Sequence, residues 1–188
     1  MNMYIFKPIL DKNWENTGKN DAKRIASQTE PQGLKQILDI PYISDGHKGH
    51  LLDIYYPEGT TEKLPVIIDI HGGGWISGIT NMRNPYITNW AELGFYCASI
   101  SYTYAPQEVF PTQIKEIFTA IDYIIDHANG LGIDTENVVI AGESAGGYYI
   151  SFVTHCLSHP EVLEKLGITF RNADKFKIKA LVSHCGCF

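Results

Sequence analysis

The feature that most constrains this chain is residues 138–147, where an apolar run meets a glycine, a serine and two more glycines. The pattern Gly142-x-Ser144-x-Gly146 is typical of a nucleophile elbow, a tight strand-to-helix turn that holds a serine hydroxyl clear of the backbone. Such a turn strains the serine, and Cβ atoms at the flanking positions would clash with the neighbouring strand and helix. The helix that follows points free N–H groups at the same spot. The stretch therefore predicts a strand, an accessible serine and a helix, in that order.

A second glycine motif lies upstream, at the end of another apolar run. Residues 64–70 form a nearly continuous apolar stretch, as expected for a strand buried on both faces of a parallel sheet. The sequence His-Gly-Gly-Gly-Trp follows directly at residues 71–75. Three adjacent glycines leave the loop without side chains, so its bare N–H groups can close on a ligand atom. This loop is where an oxyanion hole would be built.

The remaining periodicities alternate between strand and helix. After an expected hairpin, the order is strand, helix, strand, helix, strand, helix, strand, which predicts an α/β fold. We expect a mostly parallel sheet with an antiparallel N-terminal hairpin and helices on both faces. Sites in such sheets lie at the C-terminal ends of the strands, where the glycine loop and the serine both fall. The expected elements are strands at 36–43, 51–56, 64–70, 95–102, 138–142 and 178–183, and helices at 84–93, 111–129 and 148–157.

The two motifs together, in this order, resemble the α/β-hydrolase superfamily. The resemblance is to its esterase and lipase branch, which includes hormone-sensitive-lipase-like, feruloyl-esterase-like and formamidase-like proteins. It covers about residues 36–183, and residues 102–106 resemble the stretch between the motifs, although Thr103 and Tyr104 replace the Arg-Leu often found there.

The resemblance implies a serine hydrolase that acts on small carboxylic esters without a cofactor or metal. Ser144 would be the nucleophile that forms an acyl-enzyme. The backbone N–H groups of Gly73, Gly74 and Ala145 would form the oxyanion hole. His71 would order the glycine loop rather than act as the base.

The resemblance also implies a catalytic triad whose members follow one another in the chain as Ser, then Asp or Glu, then His. The expected positions of the last two members indicate a truncated chain. The acid and the base are expected on strands after residues 178–183, so both are expected to be absent from this chain. His184 is a weak candidate base, with Asp174 or Glu164 as its acid. Impaired activity follows, because a serine hydroxyl without a base is a poor nucleophile at neutral pH. On this view residues 1–35 form an N-terminal extension or partial lid, and residues 36–188 an incomplete α/β-hydrolase domain.

An alternative of a different class stays open. A catalytically inactive remnant of the fold could bind a ligand or a partner. The last strand would present an unpaired edge, which suits a homo-oligomer or a complementing chain. A dinucleotide-binding protein is a weaker option, because the glycines do not form G-x-G-x-x-G after a first strand.

Composition removes several partner classes. The formal net charge is −6 and no basic cluster is present, which disfavours nucleic acid. No apolar run approaches the roughly 20 residues of a membrane span. The four cysteines suit reduced core positions in a cytoplasmic protein.

Three pairs of metal-ligating residue types occur at suggestive spacings. His47 and His50 are three residues apart, His155 and His159 are four apart, and residues 185–187 read Cys-Gly-Cys. None has further ligands at a typical metal spacing. We therefore expect a solvated turn for His47 and His50, surface or core packing for His155 and His159, and buried strand-end thiols for the two cysteines.

The aromatic side chains near the expected cleft suggest apolar or aromatic acyl groups. They equally suit the core, so the acyl preference stays open. They are Trp75, Tyr104, Tyr148 and Tyr149.

Overall fold

The computed structural model describes residues 32–78 and 80–186, together with residues 12, 16, 19, 20, 23, 26 and 27. The chain divides into two compact units, Met1–Glu30 and Pro31–Phe188. In the first unit the described positions from 12 to 26 are helical, and the Ser27 N–H donates to the Lys23 carbonyl at 3.1 Å. Most of residues 1–35 lie outside the described residues, so their role as an extension or lid stays a prediction.

The described part of the second unit contains six strands and four α-helices. The strands are β1 Leu34–Pro41, β2 Leu51–Pro57, β3 Leu64–Ile70, β4 Tyr96–Ile100, β5 Ile133–Glu143 and β6 Ile178–His184. The helices are α1 Asn84–Glu92, α2 Thr112–Leu131, α3 Ala145–Ser158 and α4 Pro160–Lys165, with 3₁₀ turns at Lys48–His50 and Thr80–Arg83.

The six strands form one sheet in the order β1-β2-β4-β3-β5-β6. β2 is antiparallel to both β1 and β4, whereas β4, β3, β5 and β6 run parallel to one another. This confirms the prediction of a mostly parallel sheet with an antiparallel N-terminal hairpin. In the register between β3 and β5, Ile70 lies opposite Gly142. The segments that follow these two residues therefore leave the sheet side by side.

Helices cover both faces of the sheet, as predicted. Side chains alternate along β3, so Val66, Ile68 and Ile70 face one way and Ile67 and Asp69 the other. The first set packs in a large aliphatic and aromatic core with α2 and α3. Ile67 belongs to a smaller cluster with α1, whose other buried members are Tyr55, Ile87, Ala91, Cys97 and Ala141.

The predicted end of α2 is wrong. The Asn129-Gly130 pair is expected to stop the helix, but α2 continues to Leu131. Gly132 ends it instead, in the left-handed conformation with φ 77°, and its N–H donates to the Ala128 carbonyl. A glycine that caps a helix must adopt positive φ, and Gly130 does not.

β5 also begins earlier than the strand predicted at 138–142, because residues 134–137 have the composition of a turn. Ile133 and Asp134 already pair with Leu64 and Pro65 of β3, and the register then shifts before Val138 pairs with Val66. The polar residues between them form an irregularity within the strand rather than a turn before it.

None of the helices in the described ranges is both long and apolar enough to cross a bilayer. Cys97 and Cys156 are buried free thiols. Cys185 is a free but exposed thiol, so the expectation of a buried strand-end thiol is wrong at this position. Cys187 lies outside the described residues, and the cytoplasmic location stays a prediction.

Candidate active site

Ser144 is the single residue between the end of β5 and the start of α3. Its backbone has φ 51° and ψ −111°, a region that residues with a Cβ rarely occupy and that costs about 1–3 kcal/mol. Its N–H donates to the His184 carbonyl at 2.8 Å, and its carbonyl accepts from the Tyr148 N–H at 3.1 Å. The residue is half-buried. Backbone strain, position and accessibility are those of a nucleophile elbow.

Two glycines allow the elbow to be this tight. A Cβ on Gly142 would lie 2.5 Å from the carbonyl carbon of Gly146. A Cβ on Gly146 would lie 2.0 Å from the carbonyl oxygen of Ile70. Real Cβ atoms do not approach backbone atoms so closely, so the flanking glycines are needed for the steric reason that the sequence indicated.

The glycine loop passes directly against the elbow. A Cβ on Gly72 would lie 2.8 Å from the Glu143 carbonyl oxygen and 3.3 Å from Ser144 Cβ. The two motifs are far apart in the sequence, and the parallel pairing of β3 with β5 brings them together. We call the mutual contact of Gly72, Gly142 and Gly146 with the backbone around them the glycine contact.

The loop beyond Gly72 has an unusual backbone. Gly73, Gly74 and Trp75 all have positive φ, at 115°, 61° and 65°. A Cβ on Gly73 would lie 2.0 Å from the carbonyl oxygen of Ser77, so this position needs glycine. The Ser77 hydroxyl donates to the Gly73 carbonyl at 3.1 Å, and the Ala105 N–H donates to the Trp75 carbonyl at 2.9 Å. These two hydrogen bonds tie the loop backbone to residues 77 and 105.

His71 is fully buried beneath this loop. Its Nδ1 donates to the Gly72 carbonyl at 2.7 Å, and its ring stacks on Tyr102 with centroids 4.4 Å apart. The Tyr102 hydroxyl donates to the His71 carbonyl at 3.1 Å. Burial lowers the pKa of His71 to about 4, so the imidazole is neutral at physiological pH. These contacts tie the ring to the loop backbone.

The weak candidate base, His184, hydrogen-bonds elsewhere. Its Nε2 lies 3.0 Å from the Tyr86 hydroxyl of α1, and the two rings meet edge to face. Within the described ranges its imidazole has no hydrogen bond to Ser144, Asp174 or Glu164. The structure thus connects His184 to Ser144 through its main-chain carbonyl, not through its ring.

The other histidine pairs occupy different settings. The expectation of a solvated turn is wrong for His50, because its Nδ1 lies 2.8 Å from Asp45 and its Nε2 3.0 Å from Glu116 of α2. His155 and His159 lie at the end of α3 with ring centroids 4.5 Å apart. No group of three or more potential metal ligands lies together in the part of the chain that the structure describes.

A charged cluster that the sequence did not reveal lies on the α1 side of the elbow. Arg83 Nε donates to both carboxylate oxygens of Asp69, at 2.8 and 3.0 Å, and both side chains are buried. Arg83 Nη1 lies 3.5 Å from Glu143, the residue before Ser144. We call Asp69, Arg83, Tyr86 and Glu143 the Arg83 cluster. Its one sequence signal is an acid inside the apolar run of β3.

An apolar groove of about 400 Å³ opens beside the glycine loop. Trp75 and Tyr148 meet edge to face in its wall, 5.9 Å apart. Tyr148 lies one helical turn after Ser144, so the groove begins close to the serine. Val109 and Phe110 are exposed at 66% and 49%, an unusual exposure for side chains of this kind. The other lining residues are Ala105, Glu108, Gln113 and Tyr149.

A mostly parallel sheet, a strained serine between a strand and a helix, and a glycine loop beside it define an α/β hydrolase of the esterase and lipase type. The sequence profile of the BD-FAE family matches residues 52–188, and the chain belongs to this family.

Known relatives agree with this assignment. Hormone-sensitive lipase of Mus musculus is 37% identical over 92 residues, which are 48% of this chain and 12% of the lipase. Esterase LipQ of Mycobacterium tuberculosis is 30% identical over 128 residues, which are 66% of this chain and 30% of the esterase.

Solved structures of esterases share the fold. Esterase B from Lactobacillus rhamnosis, in a crystal structure with a tributyrin phosphonate, matches with a TM-score of 0.93 at 25% identity. The match covers 99% of this chain and 60% of that chain. The chain therefore spans less than two thirds of each of these relatives.

Proposed function

We propose that this protein hydrolyses small carboxylic esters through an acyl-enzyme on Ser144. The observation that carries the proposal is the strained, half-buried Ser144, with the backbone of the glycine loop pressed against it. In the first step Ser144 Oγ attacks the ester carbonyl carbon, and its proton passes through solvent water to the alkoxy oxygen. The ester C–O bond breaks, so the alcohol leaves and the acyl group stays on Ser144. In the second step water cleaves the acyl-enzyme and restores the serine.

Backbone N–H groups of Gly73, Gly74 and Ala145 are proposed to stabilise the developing oxyanion. Ala145 is the first residue of α3, where N–H groups lack partners within the helix. The positive φ values of Gly73 and Gly74 turn the loop beside Ser144. Losing one such donor typically costs about 2.7–4 kcal/mol of transition-state stabilisation. In this scheme His71 orders the loop through its bond to the Gly72 carbonyl.

We expect slow turnover from the chain as it stands. No imidazole hydrogen-bonds the Ser144 hydroxyl within the described ranges, and Nε2 of His184 hydrogen-bonds the Tyr86 hydroxyl instead. The oxyanion hole and substrate binding alone can retain roughly 10³–10⁴-fold acceleration over water. Weak hydrolysis that depends on Ser144 is therefore the expected behaviour.

The groove beside Trp75 and Tyr148 is the proposed site of the acyl group. Its lining is largely aromatic and aliphatic, with Glu108 and Gln113 as the polar exceptions. Apolar or aromatic acyl groups would bury apolar surface there. Each Å² removed from water would contribute about 25 cal/mol to the free energy of binding.

Labelling with a fluorophosphonate probe, followed by peptide mass spectrometry, tests the proposal. We expect one adduct on Ser144, which Ser144→Ala abolishes. Ser151→Ala is the matched control, because Ser151 lies in α3, the helix that follows Ser144, and its hydroxyl donates to the Gly147 carbonyl. A well-folded protein that gains no adduct on Ser144 would refute a competent nucleophile.

The second candidate is an inactive module that binds a partner along β6. β6 is the last strand in the sheet order, and Leu181 on it is 44% exposed. An unpaired strand edge suits a second copy or a complementing chain. Hydrolysis of p-nitrophenyl esters that Ser144→Ala leaves unchanged would favour this candidate, and sedimentation analysis would then show whether the partner is a second copy.

A further inference from the structure

We propose that Arg83 is a positioning residue for the nucleophile, because the Arg83 cluster supports the strained elbow from the α1 side of the sheet. The inference rests on the proposed role of Ser144. Arg83 contacts neither Ser144 nor the groove, so it would act through Glu143 and Tyr86.

The anchor of the cluster is the pair of Arg83 with Asp69. Asp69 has no exposed surface, and Arg83 Nε reaches both of its carboxylate oxygens. Asp69 belongs to β3, the central strand that ends in the glycine loop. A buried carboxylate needs such a partner, and the pair fixes the guanidinium against the sheet.

Two routes lead from the guanidinium to Ser144. By the first, Nη1 approaches the carboxylate of Glu143 at 3.5 Å. By the second, the guanidinium lies over the Tyr86 ring, 4.2 Å from its centroid, and the Tyr86 hydroxyl meets His184 Nε2 at 3.0 Å. The His184 carbonyl then accepts the N–H of Ser144. The residue before the nucleophile and the nucleophile's own N–H are thus both linked to one guanidinium.

The strained backbone of Ser144 needs support from the residues around it. A residue with φ 51° and ψ −111° keeps that conformation only when its surroundings impose it. The glycine contact prevents the elbow from moving toward the loop, and the Arg83 cluster holds its other side. Small misplacements of a nucleophile cost up to about 10² in rate, so support of this kind matters for the reaction.

Arginine suits the position better than lysine. A planar guanidinium can bond two acceptors along its edge while its face covers an aromatic ring. Arg83 does this with Asp69, Glu143 and Tyr86. A lysine ammonium could replace the contact with Asp69 but not all three.

A double-mutant cycle with Arg83→Met, Glu143→Gln and the combined variant tests the proposal. The readouts are the rate of fluorophosphonate labelling, hydrogen exchange of the amides of residues 143–147, and the unfolding midpoint. Glu143 is half-exposed, so Glu143→Gln should leave the midpoint unchanged while labelling slows about 3- to 10-fold and exchange speeds up. In the Arg83→Met background, Glu143→Gln should have no further effect. Arg83→Lys should recover labelling only partly.

The control is Glu161→Gln, which removes an exposed carboxylate paired with His159 and should change none of the readouts. Additive effects in the cycle, or a Glu143→Gln variant that matches the unaltered protein, would overturn the proposal. If the unaltered protein is never labelled, the proposed function fails. Hydrogen exchange at residues 143–147 would still decide whether the Arg83 cluster supports the elbow.

Discussion

The two sides of the Ser144 elbow are held by different means. On the loop side, the glycine contact brings backbone against backbone with no room for a Cβ. On the α1 side, the Arg83 cluster uses charged and aromatic side chains at hydrogen-bonding distances. The first kind of support is steric and insensitive to pH. The second depends on charge, so pH and substitution should affect it differently.

The largest effect is expected from removing the cation of the Arg83 cluster. Arg83→Met leaves Asp69 buried without its partner, which should lower the free energy of unfolding by about 3–5 kcal/mol. Burial already raises the pKa of Asp69 to about 6 despite Arg83, and the variant should raise it further. Protonation of Asp69 should therefore reduce the loss as pH falls from 7 to 5, which urea unfolding at several pH values would show.

Lys177→Met is the control for this experiment, because Lys177 pairs with Glu136 and both side chains are exposed. Surface pairs contribute about 0–1 kcal/mol, so its effect should be small at every pH. If the two variants lose equal free energy of unfolding, the buried Arg83–Asp69 pair contributes no more to stability than an exposed pair.

The next effect tests the steric side. Gly146→Ala would place a Cβ 2.0 Å from the Ile70 carbonyl oxygen, and the backbone must shift to accept it. We expect a loss of about 3 kcal/mol in unfolding free energy, with no dependence on pH. Gly130→Ala is the matched control, because its Cβ would meet nothing within 4 Å and alanine favours the helix by about 1 kcal/mol. A stable Gly146→Ala variant would show that the elbow can relax.

The steric side of the site was largely predictable from sequence, and the charged side was not. The motif around Ser144 places its glycines within five residues, and the parallel-sheet rule brings residues 71–75 to the same edge. Arg83, by contrast, lies in a 3₁₀ turn after the loop, and nothing local indicates that it folds back onto Asp69. Long-range side-chain pairs depend on the three-dimensional path of the chain, which residue periodicity does not encode.

The same reason explains the wrong expectation for His50. Its sequence setting is a polar turn, but its partner Glu116 lies 66 residues away on α2. The misplaced start of β5 has a local cause. Residues 134–137 have the composition of a turn, and only the pairing of Ile133 with Leu64 reveals the strand.

His71 is an exception on the loop side of the elbow, because it is a buried titratable group. Burial lowers its pKa from 6.5 to about 4, so the unfolded chain binds the proton more readily. Stability from this group is complete above pH 6.5 and is lost as pH falls toward 4, by roughly 2 kcal/mol at pH 5. His71→Asn should flatten this part of the stability profile in urea unfolding. An unchanged acid limb would mean that other groups cause it.

The smallest expected effect comes from the contact of His50 with Glu116, a charged pair away from the elbow. Burial of the His50 ring opposes its protonation, but the carboxylates of Glu116 and Asp45 outweigh this and raise its pKa. The resulting stability is fully present below the unfolded pKa of 6.5 and is lost as pH rises through the higher folded value. Glu116→Gln keeps an acceptor for the Thr103 N–H but removes the charge, so we expect a loss of about 1 kcal/mol at pH 6.

That loss should be smaller at pH 9, because His50 loses its proton as pH rises through its raised pKa, and unfolding at the two pH values measures the difference. Glu164→Gln, an exposed carboxylate on α4, is the control and should give no difference. A loss that is equal at pH 6 and pH 9 would show that Glu116 acts through its bond to Thr103 alone. In that case the pH dependence predicted here would come from His71 and the Arg83 cluster, and His50 would not contribute to it.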